Sequence, residues 1–262
     1  MKPKSKKLLP ALFVLAIVLP NLLIAAPLNV SAQQNNIANY EEALLADYIS
    51  EYHGDTSLAK YIGENYHGKV TVAIAASRPI ANSRVVIDVN NQNSGHTFVR
   101  LDFGDGNVVA RGFYAYGYVI DQILGNKSIK GELRDDSSHE WNAAIVYEIT
   151  LAQANEIEAY MENFDAGDFR VVSNNCTKFA VDALAAAGIF PPTQKHKWTL
   201  PSRDEVIAYL PDIIPDKGAI ADQLLKMIYY GYSPADAVQD FKSDPNCILK
   251  YDGKLHVHDT CE

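Results

Sequence analysis

Apolar positions along the chain follow two periods, and the switches between them mark out the elements. Ile37, Tyr40, Leu44, Leu45 and Tyr48 have the spacing of one helix face over 37–50, and a second short helix is expected over 58–65. The period then shortens to two. Lys69–Ile74, Arg84–Val89, His96–Phe103, Val108–Tyr116, Ile129–Leu133 and Trp141–Ile149 read as strands. Gly104-Asp105-Gly106-Asn107 is a hairpin signal, and the polar run over 90–95 is a loop. Thr150 opens a helix that carries Leu151, Ala154, Ile157, Tyr160 and Met161 on one side. After a connector at Phe169–Val172, Asn174 or Asn175 caps a helix running from Cys176 to about Ala187 and closed by Gly188. Beyond 193, helices are expected over 203–210, 217–230 and 234–241, followed by a tail bracketed by Cys247 and Cys261.

The first residues break this pattern. Lys2, Lys4, Lys6 and Lys7 precede an apolar stretch from Leu8, and Val30-Ser31-Ala32 has the small residues of a signal-peptidase site. Cleavage after Ala32 is expected, giving a secreted, extracytoplasmic protein with no stable membrane insertion after the cut. Pro10, Pro20 and Asn21 weaken the stretch as a permanent anchor. Cleavage removes four lysines and no acid, which takes the net charge further below the −9 of the whole chain. With no basic run elsewhere, a nucleic-acid partner is excluded.

An exported chain with three cysteines, Cys176, Cys247 and Cys261, holds an odd thiol. Cys247 and Cys261 are close enough in sequence to close a terminal loop by a disulfide, which leaves Cys176. It is either a buried core thiol or a nucleophile. Its place in the first helical turn favours the second reading. There the helix dipole favours the thiolate, and the turn's N–H groups can hold an oxyanion. A thiolate of this kind works with an imidazole. His96 opens a strand straight after Gly95 and is the candidate base; His139, in the acidic run Asp135-Asp136-Ser137-Ser138-His139-Glu140, is the rival. Other ligand-like spacings are weak. His256, His258 and Asp259 form too small a set for a metal, and Asp102, Asp105 and Asn107 lack the rest of a calcium loop. No cofactor and no metal are expected.

Gly95–Phe103 (GHTFVRLDF) followed by Asn174–Ile189 (NNCTKFAVDALAAAGI) resembles the circularly permuted branch of the NlpC-type, papain-like cysteine peptidase superfamily, which includes acyltransferases. There the histidine-bearing strands precede the cysteine-bearing helix. The resemblance covers about residues 70–190. It implies an α+β, papain-like fold with a central antiparallel sheet, the Cys176 helix packed on it, and helical N- and C-terminal extensions. Residues 1–32 are then a signal peptide, 33–68 a helical N-terminal segment, 69–192 the permuted catalytic domain and 193–262 a helical C-terminal extension. It also implies a thiol hydrolase with Cys176 as nucleophile and His96 as base and acid. The expected partner is a peptide or acyl substrate, with cell-wall peptide as the first expectation. A turn at Asp105-Gly106 sets His96 opposite Ala115 and leaves Tyr114 and Tyr116 flanking it. Tyr114 is the candidate orienting residue, Asn175 a possible oxyanion contributor, and a Cys–His dyad stands beside a triad. Acyl transfer on the same fold, and a non-catalytic secreted binding or toxin-like protein, are the alternatives.

Overall fold

The structure, a computed structural model, describes residues 57–262 apart from 92, 117–127, 211, 213–214, 228, 252–253 and 258–262. The expected signal peptide, the helix over 37–50, His258 and Cys261 lie outside the described residues. The chain is α+β. A seven-stranded antiparallel sheet has the order β4-β3-β2-β1-β5-β8-β9, with β1 Thr71–Ser77, β2 His96–Asp102, β3 Val108–Ala115, β4 Gly131–Asp135, β5 Ala143–Glu148, β8 Cys247–Tyr251 and β9 Lys254–Val257. Among the described residues there are six helices: α1 Ser57–Asn65, α2 Leu151–Glu162, α3 Cys176–Ala186, α4 Arg203–Tyr209, α5 Lys217–Lys226 and α6 Pro234–Phe241. A two-stranded ribbon joins β6 His196–Lys197 to β7 Tyr230–Gly231.

Both faces of the sheet are covered, which is why β1 reads as a nearly continuous apolar run rather than as an alternation. On one face Ile74, Val99, Leu101 and Phe113 pack against Ile157 of α2, Phe179 and Leu184 of α3 and Phe241 of α6. Each of these fully buried side chains contributes about 1.5–3 kcal/mol. On the other face Leu58 and Ile62 of α1 cover Ala73, Ala75, Phe98 and Trp141. The two helices flanking the chemistry start on capping side chains. Thr150 and Gln153 form a reciprocal capping box on α2, and the Asn175 side chain accepts from Lys178 N–H on α3.

Two expectations need correction. Arg84–Val89 is no strand; Val85 makes one parallel bridge to Thr199, and Val86 turns inward against Trp198 and Tyr229. Val86 thereby belongs to a small separate cluster rather than to the sheet. The C-terminal region is also more than a helical extension. Its β8 pairs with β5, Ala144 opposite Ile248, and the β8–β9 hairpin completes the sheet. Buried Asp236 of α6 pairs with Arg84 at 3.0 Å, which ties this region to the loop before β2.

Candidate functional site

The site forms where the start of β2 meets the start of α3. Gly95 makes the approach possible: its φ is +69°, and a Cβ there would lie 2.3 Å from the Ser77 carbonyl oxygen. His96 follows as the first residue of β2, its N–H donating to Ser77 Oγ at 3.1 Å. Cys176 is the first residue of α3. The next residue of each element locks the two together, because the hydroxyls of Thr97 and Thr177 hydrogen-bond at 2.9 Å with both side chains fully buried. A buried polar pair of this kind fixes position well, since any slip leaves both hydroxyls unsatisfied.

Cys176 lies close enough to His96 for its sulfur to act on the imidazole's protonation. One end of the ring is engaged by a carboxylate: Nε2 lies 2.9 Å from Asp136 Oδ2. That leaves Nδ1 as the nitrogen for the sulfur. Asp136 is 3 % exposed, and its Oδ1 accepts from the Tyr114 hydroxyl at 2.5 Å. The Tyr114 ring lies against the imidazole, centroids 4.2 Å apart, and the Arg134 guanidinium sits 4.7 Å over the tyrosine's ring centroid. Cys176, His96 and Asp136 are all buried, so these interactions act in a low-dielectric setting.

Charge follows from this packing. Burial pulls the His96 pKa down, but the hydrogen bonds and charges of Asp136 and Cys176 outweigh it and push it up to about 9. Burial raises the Asp136 carboxyl, yet His96 and the Tyr114 hydroxyl together hold it below the usual carboxylate range. His139 goes the other way. Its ring stands edge-on to His96 at 4.8 Å, and burial, then the His96 charge, push it down to about 4. His139 is therefore a neutral ring packed beside the imidazolium and a poor acceptor for the cysteine proton.

The structure thus brings Cys176, His96 and Tyr114 together and adds Asp136, which in sequence is one of the acidic neighbours of His139. Tyr114 acts on the carboxylate that holds the histidine. Asn175 needs correction as an oxyanion contributor. Its Nδ2 donates to the carbonyls of Val171 at 2.6 Å and Tyr232 at 2.8 Å, while its Oδ1 accepts from Lys178 N–H. The side chain is used up as a helix cap. The N–H groups of Cys176 and Thr177, in the first turn of α3, have no intrahelical acceptor. The Asp102 and Asp105 side chains cap their own hairpin, accepting from Gly104 and Asn107 N–H. His256 stacks on Tyr251 at 3.7 Å. Cys247 is buried at the start of β8, and its expected disulfide partner Cys261 lies outside the described residues. Among the described residues no group of three ligands is placed to hold a metal, and no helix is long and apolar enough to cross a membrane.

Fold and site together define an α+β protein with a buried Cys–His–Asp arrangement, the cysteine at a helix start and the histidine at a strand start. No family model, curated protein or solved structure matches the chain.

The two histidines give stability opposite pH dependences. His96 binds its proton more tightly folded than unfolded, so its contribution is complete below about 6.5 and is lost as pH rises through about 9. His139 binds its proton less tightly when folded, so its contribution is present above about 6.5 and is lost as pH falls through about 4. Melting temperature measured from pH 4 to 10 is expected to fall on both sides of a maximum near pH 6.5. His139→Gln should shallow the acid limb alone; an unchanged acid limb would remove His139 as its source.

Proposed function

We propose that this chain is an exported cysteine-dependent hydrolase of amide or ester carbonyls, built on a permuted papain-like domain of the NlpC type. The observation that carries this reading is His96 held between Asp136 and Cys176. The cysteine proton goes to His96 Nδ1, and Sγ attacks the carbonyl carbon. As the C–S bond forms, the carbonyl electron pair moves to oxygen, where the N–H groups at the start of α3 stabilise it. Collapse breaks the bond to the amine or alcohol, which leaves with the proton from His96. Water then loses a proton to His96, attacks the thioester and releases the acid, and the thiol regains its proton. Asp136 accepts from Nε2–H throughout and fixes the ring's orientation. Acyl transfer to an acceptor other than water is the second reading, favoured by the burial of Cys176, only 7 % exposed.

Alkylation by iodoacetamide at pH 6, with the modified residue located by peptide mass, tests the reading. Cys176 is expected to react faster than free cysteine at the same pH, and His96→Ala to slow it at least about tenfold. A Cys176 that reacts no faster than free cysteine, and is indifferent to His96→Ala, would make it a core thiol and leave a binding protein.

A further inference from the structure

Cys176 lies on the wall of a cavity whose other walls are mostly apolar. Val86, Phe169 and Trp198 line it, and Val206, Leu210 and Leu225 come from α4 and its C-terminal cap and from α5. Among the described residues no charged side chain lines it. Of the polar side chains on its walls, Ser233 Oγ donates to Asp236 and the Asn175 amide to main-chain carbonyls, while Ser94 and the tyrosines Tyr209, Tyr229 and Tyr232 add uncharged groups. A substrate carboxylate or ammonium therefore finds no counter-charge there, and burying one unpaired is prohibitive. The roof points the same way. Helix α4 has no fully buried residue, so the apolar side of the α4–α5 pair is turned on this space instead of on the core.

We propose that this cavity receives an aliphatic acyl chain, whose carbonyl carbon is placed at Cys176 Sγ; the proposal rests on the hydrolase reading above. The cavity offers about 100 Å³ of room for water-sized groups. That room admits a chain of several methylenes and sets a limit on its length. Every methylene buried before that limit raises reaction at the sulfur by about fourfold, the factor equivalent to the transfer of one CH2 out of water.

S-alkyl methanethiosulfonates test chain and nucleophile separately. The sulfur of Cys176 attacks the sulfenyl sulfur, a disulfide to the alkylthio group forms, and methanesulfinate leaves. Second-order rate constants at Cys176 are measured on the whole protein for methyl to dodecyl reagents, each divided by its rate with free cysteine. The ratio is expected to climb at least about a hundredfold from methyl to octyl and then level or fall. Val206→Trp, which fills part of the roof, should move the optimum to a shorter chain. A ratio that stays flat while Cys176 still reacts fast overturns the acyl cavity and leaves the nucleophile intact. A benzyl reagent outrunning hexyl overturns the aliphatic chain in favour of an aromatic side chain. Cys176 slower than free cysteine even with the methyl reagent overturns the catalytic reading itself.

Discussion

Cys176→Ala is expected to lower hydrolysis of p-nitrophenyl hexanoate by about a thousandfold or more, and adding His96→Ala is expected to lower it little further. Groups that act as one unit show this non-additivity, because once the nucleophile is gone its base has nothing to deprotonate. If the two substitutions instead acted independently, the double variant would lose the product of the two factors. The melting temperature separates chemistry from folding. The Cys176 side chain is small and sits at a cavity wall, so its truncation leaves the Thr97–Thr177 tie and the Asn175 cap in place. A Cys176→Ala protein that retains more than a tenth of the activity would remove the nucleophile from the proposal, whatever its stability.

What the sequence made legible in this site is the part encoded locally. Asn175 before a run with Phe179, Ala180, Ala183 and Leu184 on one side specifies a capped, buried helix that starts at Cys176. Gly95 before an alternating strand specifies where His96 begins, because only a residue without a Cβ passes the Ser77 carbonyl. Asp136 was hidden because its place depends on register across three strands. A two-residue turn at Asp105-Gly106 pairs His96 with Ala115. The hairpin instead closes through Phe103 N–H to Asn107 carbonyl, with positive φ at Gly104 and Gly106. Phe98 then faces Gly112, and the same register carries His96 opposite Tyr114. On the next strand Arg111 faces Asp135, so Asp136 falls one step beyond the end of β4, level with Ala110. The edge strand itself is mostly polar, Gly131-Glu132-Leu133-Arg134-Asp135, and gives little periodic signal of where it ends. A pair of acids after such a strand reads as exposed loop until the register is known.

Gly112 supplies the sharpest test of that register. A Cβ on Gly112 would stand 1.8 Å from Asp136 Oδ2 and 2.2 Å from His96 Nε2, inside the hydrogen bond that joins them. Its backbone is not in the left-handed region, so alanine meets no conformational penalty there, and mid-strand it recovers about 0.5–1 kcal/mol relative to glycine. Displacing the packed neighbours costs about 1–3 kcal/mol, which leaves Gly112→Ala folded. Its chemistry should nevertheless fail. With the carboxylate pushed off Nε2, nothing fixes the ring toward Cys176, and loss of the equivalent aspartate contact in serine-type triads costs about 10⁴ in turnover. Gly112→Ala is accordingly expected to lower ester hydrolysis about 10²–10⁴-fold, to slow alkylation of Cys176 at pH 6, and to add little to Asp136→Ala. Gly131→Ala is the control in the neighbouring strand. Its Cβ would press on the Phe113 ring at 2.3 Å, overpacking the core away from the site. That variant should melt earlier while each folded molecule turns over normally. If Gly112→Ala kept full activity, the His96–Asp136 bond would have no part in the chemistry, and the site would reduce to a Cys176–His96 dyad whose base is oriented by packing against Tyr114.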